Sequence, residues 1–418
     1  MTPDEADADP GGRLSRRGFF ALGGSAVVGA AVTASALGVA RTLESPESAR
    51  VADPGPDPLA ATVEFTGIHQ AGIATPPQQH LVLLAFDVRP AAAPVDIAAL
   101  LREWSSLGRR LAVGDAADPA DIGAASVASG TPPSAFTITV GVGAGLVARL
   151  GVTRPEAFVD LPAFPGDALQ PGLSGGDLLI QLCADDPLYL AAAARALRST
   201  AVDTAVARWQ LSGFRGAAAS ATNTNPRNLM GQIDGTDNIA VNPQAFEGPA
   251  WISDGPSWAV GGSYLAVRRF RMLLDAWERT PLPQQERAVG RHKATGAPLG
   301  EERESDPLDL DAIGRDGQPV IPVDSHVRLA KPVVGAGEEM LRRSYSYSDG
   351  QTTTGEEDAG LLFLAYHRDP RTSFIPVQQR LAERDAMGAF TLATASSMFL
   401  MLPGVSGADG WIGQTLFS

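Results

Sequence analysis

One cysteine in 418 residues, Cys183, excludes an intrachain disulfide, so burial and hydrogen bonding alone must hold the fold. Positive charge is also scarce. Lys and Arg number 33 against 47 Asp and Glu, a net charge of -14, which argues against a nucleic-acid partner because such binding rests on neutralising phosphates. Histidine is confined to His69, His80, His292, His326 and His367, so any imidazole ligand for a metal comes from these five. What is there is ordinary for a globular protein: 44% hydrophobic and 19% charged residues, in a length that can bury a large core and suggests roughly two to three domains.

The first forty residues read as an address, not as fold. Ser15-Arg16-Arg17-Gly18-Phe19-Phe20 is a twin-arginine signal, and Gly18 to Ala40 then run without a charge. The abundance of Gly, Ala, Ser and Thr keeps that run only modestly hydrophobic, which suits export better than a lasting membrane span. The expectation is a signal peptide over 1–40, cleaved after Gly38-Val39-Ala40, and a proline-rich linker over 41–60. The exported protein would then be extracellular or in the cell envelope, delivered by the twin-arginine machinery with no stable span after processing. That route carries folded proteins, often with a cofactor in place.

From His80 the chain alternates short apolar runs with helical patterns. Strands are expected over His80 to Val88, Ala135 to Val140, Asp177 to Cys183 and Trp209 to Phe214, with helices over Val95 to Leu111, Gly145 to Leu150 and Pro187 to Leu197. This order predicts a ferredoxin-like antiparallel sheet backed by helices, an α+β fold. A looser second set follows: strands at Ser263 to Arg269, Leu341 to Tyr347 and Gly360 to His367, helices at Arg271 to Glu278 and Ile375 to Arg384. A boundary near Gly216 to Thr224 divides the halves into 61–220 and 221–418. Gly141-Val142-Gly143-Ala144-Gly145 lacks the spacing of a dinucleotide loop and reads as a turn. Cys183, in an apolar run, reads as core, and the charge run Glu301 to Asp306 as solvated surface.

Three stretches carry chemistry: Asn228-Leu229-Met230-Gly231-Gln232-Ile233-Asp234-Gly235-Thr236-Asp237-Asn238, Asp324-Ser325-His326-Val327-Arg328 and Leu341-Arg342-Arg343-Ser344-Tyr345. The glycines of the first let the backbone turn sharply and approach a flat ligand, with Asp234 between them. The second offers an imidazole and the third a permanent cation. From the residues alone His326 and His367, each adjoining an apolar strand, stand level as ligands.

Gly231-Gln232-Ile233-Asp234-Gly235 fits the GxxDG signature of the dye-decolourising peroxidases, and Gly67 to Gln78, Thr295 to Gly300 and Gly360 to Phe363 also look like that family. The resemblance runs from about Phe65 to the C-terminus. It implies two ferredoxin-like halves assembled as in a dimeric α+β barrel, with one haem b per chain in the C-terminal half. By the same resemblance His326 is the proximal iron ligand, Asp234 the acid/base for peroxide, and Arg342 the distal cation. Gly235, Thr236, Asp237 and Arg328 would line the cofactor, with Arg328 on a propionate, and Arg343 would turn away into a salt bridge. Asp358, or an acid of the Asp306 to Asp311 loop, could accept the other ring N–H of His326. A carboxylate base, with an ordinary pKa of about 3.9, predicts an acidic optimum.

The implied activity is reduction of hydrogen peroxide and oxidation of dyes, phenols or other one-electron donors, small molecules or proteins, through a ferryl intermediate. Tyr345 and Tyr347 are candidate relays to bulky donors at the surface, and a homo-oligomer is possible. Two readings compete: release of iron from haem, as in deferrochelatases, and haem carriage without turnover. Fold cannot separate the three.

Overall fold

The computed structural model describes residues 58–115, 130–218, 225–239 and 243–418. The expected signal segment, most of the linker and residues 219–224 of the expected boundary lie outside the described residues.

The first half runs β1 (His80–Val88), α1 (Pro94–Ala112), β2 (Thr137–Val142), α2 (Ala144–Leu150), β3 (Leu178–Ala184), α3 (Pro187–Thr200) and β4 (Ala205–Phe214). Each long helix has a local reason to start where it does. Pro94 and Pro187 open α1 and α3, where a missing N–H is harmless; Asp96 accepts the Ala93 amide at 2.8 Å, and Asp186 accepts those of Leu188 and Tyr189 at 2.6 and 3.1 Å. The apolar stripe of α1 then buries Ile97, Leu100, Leu101, Trp104 and Leu107 against the sheet. Trp104 is fully enclosed, with Nε1 donating to Leu197 O at 3.0 Å; truncating it to Ala would cost ~3–5 kcal/mol.

The second half runs α4 (Pro243–Phe246), β5 (Ser263–Met272), α5 (Leu274–Arg279), α6 (Leu282–Val289), α7 (His326–Ala330), β6 (Leu341–Arg342), β7 (Tyr345–Gln351), β8 (Glu357–His367), α8 (Phe374–Arg384) and β9 (Thr391–Met401). Every ladder between these nine strands is antiparallel. The strand order is β5-β9-β2-β3-β1-β4-β7-β8-β6, and β8 pairs back onto β5, so eight strands close into a barrel with β6 a short ninth on β8. The two halves meet at two seams, Gly141 and Val142 against Met401 and Leu400, and Phe214 against Ser346. Glycine sits at both for lack of room: a Cβ at Gly213 would meet the Tyr345 Cβ at 2.7 Å, and one at Gly141 would collide with the Met401 sulfur.

Closure explains why β1 shows no polar alternation. Val82, Leu84 and Phe86 face the helices, while Leu81, Leu83 and Ala85 face a barrel interior shared with Leu179, Cys183, Trp209, Leu265, Val267, Leu364 and Phe399. The α+β class, the two ferredoxin-like halves and the barrel arrangement agree with the sequence reading, as does Cys183 in the core.

Three elements differ from it. Arg271 and Met272 extend β5, because their cross-strand partners Leu392 and Thr391 lie in β9, a strand the sequence reading did not include. The expected strand Leu341 to Tyr347 is broken: Arg343 and Ser344 separate β6 from β7. His326 lies at the start of a helix instead of beside a strand. Among the described residues no helix is long and apolar enough to cross a membrane.

Candidate active site

His326 is the first residue of α7, a single helical turn preceded by Ser325, whose hydroxyl donates to Pro322 O at 2.7 Å. The ring Nδ1 lies 2.6 Å from Asp385 Oδ2. Asp385 caps α8, and its other oxygen accepts the Met387 amide at 2.9 Å, so the carboxylate is held from both sides. Ala386 N donates to Asp324 O at 2.9 Å and fastens the two segments together. Burial is the strongest single influence on the imidazole and works against its charge, yet Asp385 and then Asp234 outweigh burial and the Arg342 cation, so the pKa is raised. Nevertheless 38% of the side chain is accessible. The ring therefore keeps a face open to space that protein atoms do not fill.

The glycine-rich loop approaches that space from another side. Asn228 organises it: its Oδ1 accepts the amides of Met230 and Gln232 at 3.0 and 3.3 Å, its amide donates to Gln232 O at 2.9 Å, and its Nδ2 donates to Asp234 Oδ2 at 3.3 Å. Trp277 Nε1 holds the outside of the turn through Met230 O at 2.9 Å. Gly235 then takes φ +116°, and its missing side chain leaves room for Asn225, whose Oδ1 would lie 2.7 Å from a Cβ there. Asp237 follows in the left-handed region at φ +59°.

Arg342 joins the loop from β6. Its backbone exchanges hydrogen bonds with the Asn238 side chain at 3.0 and 2.7 Å, and its Nη2 donates to Thr236 O at 2.7 Å. Asp234 and Arg342 lie close enough to His326 for both charges to bear on the imidazole.

This arrangement fits a haem. Nδ1 is committed to Asp385 and Nε2 has no protein partner among the described residues, which is the pattern of a metal-ligating histidine with its second nitrogen anchored to a carboxylate. Among the described residues no group of three or more His, Cys, Asp or Glu gathers as a metal cage. His326 would hold the iron, with Asp234 and Arg342 near enough to act on it electrostatically.

Several expectations need correcting. Asp358 does not serve His326: it accepts from Arg269 at 2.9 Å and from Tyr347 OH at 3.4 Å. Asp306 is taken by Arg303, and Asp309 caps its own loop. The acceptor is Asp385, 59 residues beyond the histidine, for which no local pattern gives a signal. Arg328 also ties down the preceding loop, donating to the carbonyls of Leu310, Ile321 and Pro322 through Nε and Nη2. Arg343 makes no salt bridge among the described residues. It is buried, and donates to Thr75 O at 2.5 Å, to Pro76 O at 3.5 Å and to Gln78 Oε1. Tyr345 and Tyr347 line the barrel interior at 1% exposure each, so neither is a surface relay. Tyr345 OH instead points at Cys183 Sγ, 3.6 Å away. His367 is enclosed among apolar groups with both ring nitrogens unpaired, which removes its parity with His326.

The Dyp-type peroxidase N-terminal family matches residues 70–215, and the Dyp-type peroxidase C-terminal family residues 225–406. A dye-decolorizing peroxidase of Thermobifida fusca is 40% identical over 96% of this chain and 97% of its own. A deferrochelatase of Escherichia coli is 37% identical over 86% of this chain and 88% of its own. The DyP-type peroxidase of Streptomyces coelicolor superposes with a TM-score of 0.81 at 40% identity, over 86% of this chain and 98% of that one. With both family halves matched in order on a fold that closes as theirs does, the chain belongs to the Dyp-type peroxidase family of haem enzymes.

Proposed function

We propose that the protein is an exported haem b peroxidase that reduces hydrogen peroxide and oxidises dyes, phenols or similar donors one electron at a time. The observation that supports this reading is His326, anchored through Asp385 and within electrostatic reach of both Asp234 and Arg342. When bound, haem supplies an iron that accepts the two oxidising equivalents of peroxide and releases them singly. Everything else falls to the chain.

Asp385 fixes which nitrogen of His326 is protonated and raises the basicity of the other, which strengthens it as an iron ligand. Asp234 Oδ2 is steadied by Asn228; the carboxylate takes a proton from the near oxygen of peroxide and returns it to the far one, so that water leaves. Arg342, steered by the Thr236 carbonyl, stabilises negative charge on the departing oxygen. The twin arginines Arg16 and Arg17 support export with cofactor in place.

A second reading is favoured by relatives at 35–37% identity that are named deferrochelatases: haem would then be a substrate from which iron is removed. One experiment separates the two. Ferric protein is mixed in a stopped-flow cell with one equivalent of hydrogen peroxide, with Asp234→Ala and His326→Ala alongside. A peroxidase shows a Soret shift within milliseconds to seconds that a dye reverses and that Asp234→Ala slows. Slow bleaching with iron release, unaffected by dye, would reject the peroxidase reading for iron removal.

A further inference from the structure

The charge run Glu301 to Asp306 is not uniformly a solvated surface. Glu304 is half-buried, and its Oε1 accepts two hydrogen bonds, from Thr236 Oγ1 at 2.6 Å and from Asn225 Nδ2 at 2.7 Å. Both donors belong to the loop that presents Asp234. Asn225 occupies the space left by the absent Cβ of Gly235, and Thr236 is the residue whose carbonyl receives Arg342 Nη2 at 2.7 Å. Glu304 is itself fixed from behind. Its carbonyl accepts Arg291 Nη1 at 3.1 Å, and the same Arg291 nitrogen donates to Gly296 O at 2.7 Å.

We infer that Glu304 is a positioning residue for peroxide cleavage. It sets the height of the Gly235–Asp237 turn and, through the Thr236 carbonyl, the place of the Arg342 guanidinium. The physical need is plain: Gly235 at φ +116° and Asp237 at φ +59° are conformations a free chain seldom holds, so the turn requires outside ties. A charged acceptor shared by two loop donors supplies them, since charge-assisted hydrogen bonds are roughly twice as strong as neutral ones. This inference rests on the peroxidase reading for its consequence, while the clamp itself can be tested apart from activity.

The test uses haem-loaded protein bearing Glu304→Ala, Glu304→Gln, Thr236→Val, or Glu304→Ala with Thr236→Val. Two quantities are measured: the second-order rate constant with hydrogen peroxide, and amide hydrogen exchange at 236–238. Glu304→Ala should slow the peroxide reaction about tenfold or more, the scale expected when catalytic groups shift by a fraction of an ångström. It should also speed exchange at these amides, leaving haem content and the donor's KM unchanged. Glu304→Gln keeps an acceptor oxygen and should recover most of both losses. Thr236→Val should resemble Glu304→Ala, and the double variant should be no worse than either.

A Glu304→Ala protein within twofold of native in rate, or with native exchange, overturns the inference. So does a loss that Glu304→Gln fails to recover and that falls in step with haem content, since that would mean only general support of the fold. If the native protein does not react with peroxide, the peroxidase reading fails, and exchange still decides the clamp: faster exchange in both Glu304→Ala and Thr236→Val supports it, native exchange removes it.

Discussion

His326 Nδ1 and Asp385 Oδ2 lie 2.6 Å apart, joining the first residue of α7 to the residue that ends α8. The pairing gives the ring an anionic neighbour at Nδ1, leaving Nε2 for a ligand. Asp385→Asn keeps an acceptor at that place and removes the anion, so the imidazole should become a weaker donor to iron. The expected result is a rise in the haem reduction potential on the order of 60 mV, equivalent to a tenfold change in relative affinity for the two oxidation states. Spectroelectrochemistry checks it. An unchanged or lower potential would mean that the carboxylate does not tune the ligand.

His367 sets a pH dependence of stability. It is fully buried with both nitrogens unpaired, and burial depresses its pKa to about 3 despite the pull of Asp369. In the unfolded chain the same group titrates at about 6.5. Between these values the unfolded state binds the extra proton, so the contribution to stability is full above about pH 6.5 and is lost as pH falls toward 3. The melting temperature of His367→Leu should therefore drop less than that of the native protein between pH 7 and pH 4. Parallel profiles would show that His367 does not stay neutral inside.

The neighbours Arg342 and Arg343 should separate activity from stability. Arg342→Leu loses the bond to Thr236 O but keeps the backbone ties to Asn238, so melting should change little while reaction with peroxide slows about a hundredfold. Arg343→Leu strands the buried Gln78 acceptor, at ~1–3 kcal/mol, and removes the bonds to the part-buried carbonyls of Thr75 and Pro76, partly offset because a cation is no longer buried. A net destabilisation of about 2 kcal/mol, with the rate per bound haem preserved, is expected from denaturant unfolding alongside stopped-flow. The reverse pattern would exchange the two roles.

Gly235→Ala adds one methyl group where φ is +116° and Asn225 Oδ1 would be 2.7 Å away. The loop must move or Asn225 must swing off Glu304, and either displaces Thr236 and the Arg342 guanidinium. Destabilisation of about 1–3 kcal/mol, together with slower peroxide reaction, is the expected outcome. A variant with native rate and native melting would show that the turn has slack.

Much of the fold was legible because it rests on local patterns. The apolar run His80 to Val88 became β1 with the same ends, and the amphipathic stretch after Pro94 became α1. Gly231 to Gly235 announced a sharp turn around a carboxylate because only glycine accepts such angles without strain. His326, Asp234 and Arg342 were each named from their own segments, and in the folded chain both charges bear on the imidazole. The break after Arg342 and the strand Thr391–Met401 were less visible, since each depends on partners in β5 and β8 rather than on its own composition.

Sequence by itself settled the redox-independent fold, the acidic surface and the three segments that bear the reactive groups, since these follow from composition and from spacing within a few residues. Tertiary structure alone decided their partners. Asp385 reaches His326 across 59 residues, Glu304 reaches Thr236 across 68, and Arg343 turns into the barrel toward Gln78 across 265. Such pairings depend on where the closing sheet places loops that share no sequence pattern, and a hydrogen bond of under 3 Å leaves no trace in the order of residues that make it.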